Sequence, residues 1–130
     1  MIKVNVYKQS NYPISSVKVK KVLRDFLSSR GIASDSEVGL SFVGKKKMLE
    51  LAEEHLNEKD NPPHNVLSFL PEEKKRKFVY PPDGVIHLGD IIICYPVVFE
   101  EAKVERIFVE EKVFELVEHG ALHLLGEHHI

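Results

Sequence analysis

Apolar and polar positions change period several times along this chain, and each change predicts an element. Residues 2–7 alternate in steps of two, which predicts a first strand. Val19, Val22, Leu23 and Phe26 then recur at helical spacing, with Ser15 or Ser16 placed to cap the helix and Gly31 to end it. Residues 38–43 predict a second strand, and residues 45–56 a second helix burying Met48, Leu49, Leu51 and Ala52. Pro62 and Pro63 forbid helix ahead of a short third strand over 65–70. Residues 71–83 hold Pro71, Pro81 and Pro82 and a basic run, which predicts a mobile loop. A fourth strand over 85–94 breaks at Gly89, and its Ile91-Ile92-Ile93 run suits a strand covered on both faces. Helices over 97–108 and 111–125 follow, the second stopped by Gly126. The pattern predicts an α+β fold, a single domain over 1–130 with one mixed four-stranded sheet and helices packed on it.

Composition narrows the class. With 43% hydrophobic and 29% charged residues, the chain reads as an ordinary soluble globular domain. No apolar run is long enough to cross a bilayer, and the N-terminus lacks the features of a signal peptide. The single cysteine, Cys94, cannot form an internal disulfide and fits a reducing compartment, so the expectation is a cytoplasmic protein with no membrane partner. A net charge of −2 does not announce a nucleic-acid binder. Lysines and arginines do cluster at 18–24, 45–47 and 74–77, although such runs are more often solvated faces than binding sites.

The candidate chemistry lies at the C-terminus. His119 and His123 are four apart, so both imidazoles project from one helix face and can converge on one ion. Gly126 can turn the chain back and bring His129 across as a third nitrogen. Three neutral imidazoles leave a fourth position for water, the layout of a catalytic zinc centre, though nickel or copper would also suit them. The blander reading is three surface histidines near a frayed end. The helix-stopping Gly between the second and third His, and the apolar Val113, Phe114, Val117 and Leu122 on the same helix, weigh against it.

The spacing His-x3-His-x5-His is also that of metzincin peptidases, which need a Glu directly after the first His as general base. Here that position is Gly120, so peptide hydrolysis by that route lacks its proton acceptor.

The same residues carry a resemblance. His119-Gly120-x-Leu122-His123-Leu124-x-Gly126-x-x-His129 closely resembles the signature of the YbeY family of bacterial rRNA maturation factors. Asn65-Val66-Leu67-Ser68-Phe69 resembles that family's central strand. Leu88-Gly89-Asp90-Ile91-Ile92-Ile93-Cys94, with Val97-Val98 and Glu101-Ala102, resembles its next strand and helix. The resemblance implies a zinc-dependent endoribonuclease that prefers single strands, with one Zn²⁺ per chain on His119, His123 and His129. It further implies action in 16S rRNA 3′-end maturation and ribosome quality control, with the small ribosomal subunit and ribosome-associated proteins as partners. The chain departs from the family in having Glu127-His128 where Tyr-Asp is usual, which leaves His128 as a competing ligand. It also lacks the Arg usual before the Asn65 block, where Lys59 is the only nearby cation, and the two are not equivalent toward phosphate.

Within this reading the metal lowers the pKa of a water held by the three histidines. Asp90 is the candidate carboxylate behind a ligating His, against a plain role as a strand-end turn residue. Lys59 and Ser68 are the candidate substrate contacts, in a cleft between the last helix and the third strand. His64 and His87 read as structural or surface, Cys94 as core, and Phe78 and Tyr80 more as core or loop anchors than as stacking partners for bases. Two other readings remain open: a ribosome assembly factor with a structural zinc site, and a zinc hydrolase of another substrate.

Overall fold

The computed structural model describes residues 1–73 and 84–126. Within them the order is β1 (Ile2–Lys8), α1 (Ser16–Ser29), β2 (Ser36–Val43), α2 (Lys45–Leu56), β3 (Val66–Phe69), a 3₁₀ turn (Pro71–Glu73), β4 (Ile86–Cys94), α3 (Tyr95–Glu105) and α4 (Val109–Leu124). The strands form one mixed sheet in the order β1-β2-β4-β3, with β3 alone antiparallel to its neighbour. This is the α+β single domain that the periodicity predicts. Among the described residues no helix is long and apolar enough to cross a membrane.

Helix ends follow their local chemistry. Ser15 caps α1 by accepting from the Lys18 N–H at 3.2 Å, and Gly31 leaves the helix with φ +94°. Gly126 ends α4 with φ +77°. Glu110 and Glu111 sit in the first turn of α4, where the helix dipole favours acids.

The sheet is covered on both sides. Ile91 and Ile93 join Val38, Leu40 and Phe42 against Leu23 and Leu27 of α1 and Val113, Val117 and Ala121 of α4. Ile92 and Cys94 face the other way, with Phe69 and with Met48 of α2. Burial raises the Cys94 thiol pKa, consistent with a core residue rather than a nucleophile. Leu49 corrects the expectation of a four-residue buried stripe on α2. It is 41% exposed, because α2 turns Met48, Ala52, the partly buried Leu51 and the ring of His55 toward the sheet and Leu49 away from it. The expected mobile loop begins instead as a 3₁₀ turn, and residues 74–83, with Phe78 and Tyr80, lie outside the described residues.

Register decides which residues face α4. Position 120 rests against Ile91, since a Cβ on Gly120 would come within 2.8 Å of Ile91 Cγ2. Ser68 pairs with Ile91 and so shares the α4 face, whereas Asp90 pairs with Phe69 and Gly39 and faces the α2 side. The sheet itself divides these two candidate residues.

Candidate functional site

His119 and His123 stand one turn apart on α4, one exposed and the other half-exposed. Their helix is held rigidly from behind by Val113, Leu116, Val117, Gly120 and Ala121, all buried. Apolar residues at that spacing turn the histidines away from the core, and His119 lines an open groove of about 470 Å³. Phe26 of α1, Asn65, Val66, Glu118, His119 and Leu122 line it. The Asn65 amide is fixed in turn, donating to Glu101 of α3 at 2.9 Å.

At the far end of the pair, Glu73 Oε1 lies 3.8 Å from His123 Nε2. The local fold accounts for the placement of this carboxylate. Leu70 precedes the 3₁₀ turn, Pro71 opens it, and Glu73 reaches back to accept the Leu70 N–H at 2.8 Å. That is the reciprocal half of a capping box, and Pro at the first position favours it.

The two imidazoles suit a divalent transition metal: neutral nitrogen donors at i, i+4 on one accessible face of a buried helix. Among the described residues no group of three His, Cys, Asp or Glu is gathered closely enough to hold an ion. The expected third ligand, His129, and its competitor His128 lie outside the described residues.

The other expected site residues fall in different places. Ser68 is half-buried on the α4 face, beside the histidines' helix. Lys59 is exposed after α2 and lines a separate concavity with Leu49, Glu53 and Asn61. Asp90 was expected behind a ligating histidine, and for His119 and His123 that is corrected: it lies on the face of the sheet opposite α4, where its carboxylate occupies the space over Gly39 and lines a small cleft with Asn5, Glu37 and His87. His64 meets Glu58 and His87 meets Glu37, each at 2.7 Å. The His64 contact holds the Glu58 carboxyl below its ordinary pKa.

Glu73 and Phe26 are the site residues that sequence reasoning missed. Proline followed two residues later by Glu carried the capping signal for Glu73, but nothing local joins it to a histidine fifty positions later.

The family model described as endoribonuclease YbeY matches residues 5–130. The chain belongs to the YbeY family. A relative named endoribonuclease YbeY from Acinetobacter baumannii strain AB307-0294 is 33% identical over 126 residues, covering 95% of this chain and 75% of the relative. Another YbeY from Dehalococcoides mccartyi strain ATCC BAA-2266 is also 33% identical over 126 residues, covering 89% and 71%. The solution structure of TM1509 from Thermotoga maritima matches with a TM-score of 0.57 at 23% identity. It covers 98% of this chain and 75% of that one, and shows that the two share a fold. Membership in the YbeY family gives the paired histidines of α4 their context.

Proposed function

We propose that this chain is a zinc-dependent endoribonuclease that cuts single-stranded RNA. In this reading it acts in the cytoplasm, on the small ribosomal subunit, in 16S rRNA 3′-end maturation and ribosome quality control, beside ribosome-associated proteins. One observation carries the reading: in a chain of the YbeY family, His119 and His123 stand one turn apart on the accessible side of α4, with His119 lining an open groove.

His119, His123 and His129 would hold one zinc ion, with His119 and His123 spaced for it on α4. When bound, the ion supplies Lewis acidity and positive charge toward a phosphoryl oxygen. The chain's own residues do the rest. The core behind α4 fixes the helix that carries the two imidazoles, and so the relative position of their attachment points. Phe26, Val66 and Leu122 give the groove an apolar wall on which an unpaired base can stack. A base inside a duplex is already stacked and cannot reach such a wall, which favours single strands. Ser68, on the α4 face of β3, would hydrogen-bond a phosphate or 2′-hydroxyl. Lys59 lies in its own concavity and is left to phosphates flanking the cut.

The test uses purified, zinc-loaded protein on matched unpaired and paired rRNA fragments. The unpaired fragment should be cut, and chelation, His119→Ala or His123→Ala should each abolish cutting. Cleavage that survives all three would overturn the assignment. The absence of Arg from residues 56–60 favours the alternative of an assembly factor with a structural metal site. That alternative predicts rRNA binding with no metal-dependent cleavage in the same assay.

A further inference from the structure

We propose that the open edge of β1 is a docking site for an extended acidic segment of another protein, which adds to the sheet as a further strand. β1 stands at one end of the sheet order and pairs only with β2 among the described residues. Two backbone bonds show which of its groups are already used. The Met1 carbonyl accepts from the Ser36 N–H at 3.0 Å, and the Gln9 N–H donates to the Phe42 carbonyl at 2.9 Å. The register between them runs unbroken from Ile2 to Lys8, so the odd-numbered residues of β1 face β2. Alternation then turns the N–H and C=O groups of Ile2, Val4 and Val6 outward along the edge.

A groove of about 560 Å³ follows this edge, lined by residues 1–6 and by Lys20 and Arg24 of α1. Its charged side chains, Lys3, Lys20 and Arg24, are all cations. Other lysines of α1 have acidic partners: Lys18 meets Glu110 at 3.5 Å and Lys21 meets Asp25 at 2.7 Å. Lys20 and Arg24 have no ion pair among the described residues. The edge selects the class of partner. Repeated N–H and C=O groups call for a ligand with donors and acceptors at strand spacing, which a peptide backbone supplies. RNA phosphates only accept, and the outward carbonyls repel them. A second copy paired through the same edge would set the three cations against their duplicates. Acidic side chains on an incoming strand meet Lys20 and Arg24 on the α1 face and Lys3 on the other.

The probe is a short synthetic peptide alternating Glu and Val. Its controls are the same peptide with Lys for Glu, and the acidic peptide with methylated backbone amides. Amide exchange and peptide titrations are followed by NMR on the isotope-labelled chain. In the free chain the amides of Val4 and Val6 should exchange faster than those of Lys3, Asn5 and Tyr7. The acidic peptide should slow Val4 and Val6 at least about tenfold, because strand addition supplies acceptors to both. Amide methylation of the peptide should weaken its binding at least about tenfold, and so should Lys20→Glu combined with Arg24→Glu. The double variant should take the lysine peptide instead. Unprotected Val4 and Val6 at peptide saturation, or equal binding of the methylated peptide, would overturn the proposal. Protection of the same amides by an unpaired RNA oligonucleotide but not by the acidic peptide would overturn it in favour of RNA. Slow exchange of Val4 and Val6 in the free chain would also overturn it, by showing the edge already covered; dependence on protein concentration would identify a second copy as the cover.

Discussion

Gly89 holds φ at +129°, and a Cβ there would come within 2.3 Å of the Phe69 carbonyl oxygen and 2.8 Å of Leu124. Only glycine meets both demands without strain. The register between β2 and β4 shifts at the same place: Glu37 pairs with His87 and Val38 with Gly89, leaving Leu88 as an extra residue. The bulge lets His87 and Asp90, three apart, face the same side, which strict alternation forbids. Gly89→Ala should therefore destabilise the fold by roughly 2 kcal/mol or more, read as a lower urea midpoint; an unchanged midpoint would mean that β3 and α4 do not approach this closely. The break at Gly89 is legible in the sequence because glycine punctuates a strand. Its effect on Asp90 is not, because the partner strands that set each residue's face lie some twenty and fifty positions away.

Helices show the same division at the next scale. The span 45–56 expected for α2 is the one observed, since its ends depend on neighbours within a few residues. Which flank of α2 is covered depends on where the sheet ends, and there the expectation for Leu49 failed. Between α3 and α4 the buried Lys112 meets Glu105 at 2.9 Å. The Glu105 hydrogen bond, opposed by desolvation, raises the Lys112 pKa. A raised folded pKa means that the contribution to stability is complete below the unfolded value, about 10.4. It is lost as pH climbs through the folded value. The wild-type Tm should accordingly fall more between pH 8 and pH 11 than that of Lys112→Met; equal slopes would show that Lys112 is not the group responsible. At the other end of the chain, Ser15→Ala removes the α1 cap and should cost about 1 kcal/mol, measured by chemical denaturation.

For the whole molecule, the sheet order puts β3 at an edge, paired only with β4 among the described residues, next to α4. Ser68, Glu73 and the two histidines thereby meet on one side, and Asp90 is left on the other. If the proposed centre is real, a ligand that binds only the folded chain must stabilise it. Zinc at about a hundred times its dissociation constant should add about 2.7 kcal/mol, seen as a rise in Tm that chelation reverses and His123→Ala abolishes. A rise that persists in His123→Ala would place the ion elsewhere.

The sequence by itself determined the order of strands and helices, the N-cap of α1 and the pairing of His119 with His123, because helical geometry and capping act over a few bonds along the chain. Only the tertiary structure decided that Asp90 turns away, that position 120 is closed by Ile91, and that Glu73 stands beside His123. Those outcomes depend on strand register and on contacts between distant segments, which local spacing cannot encode.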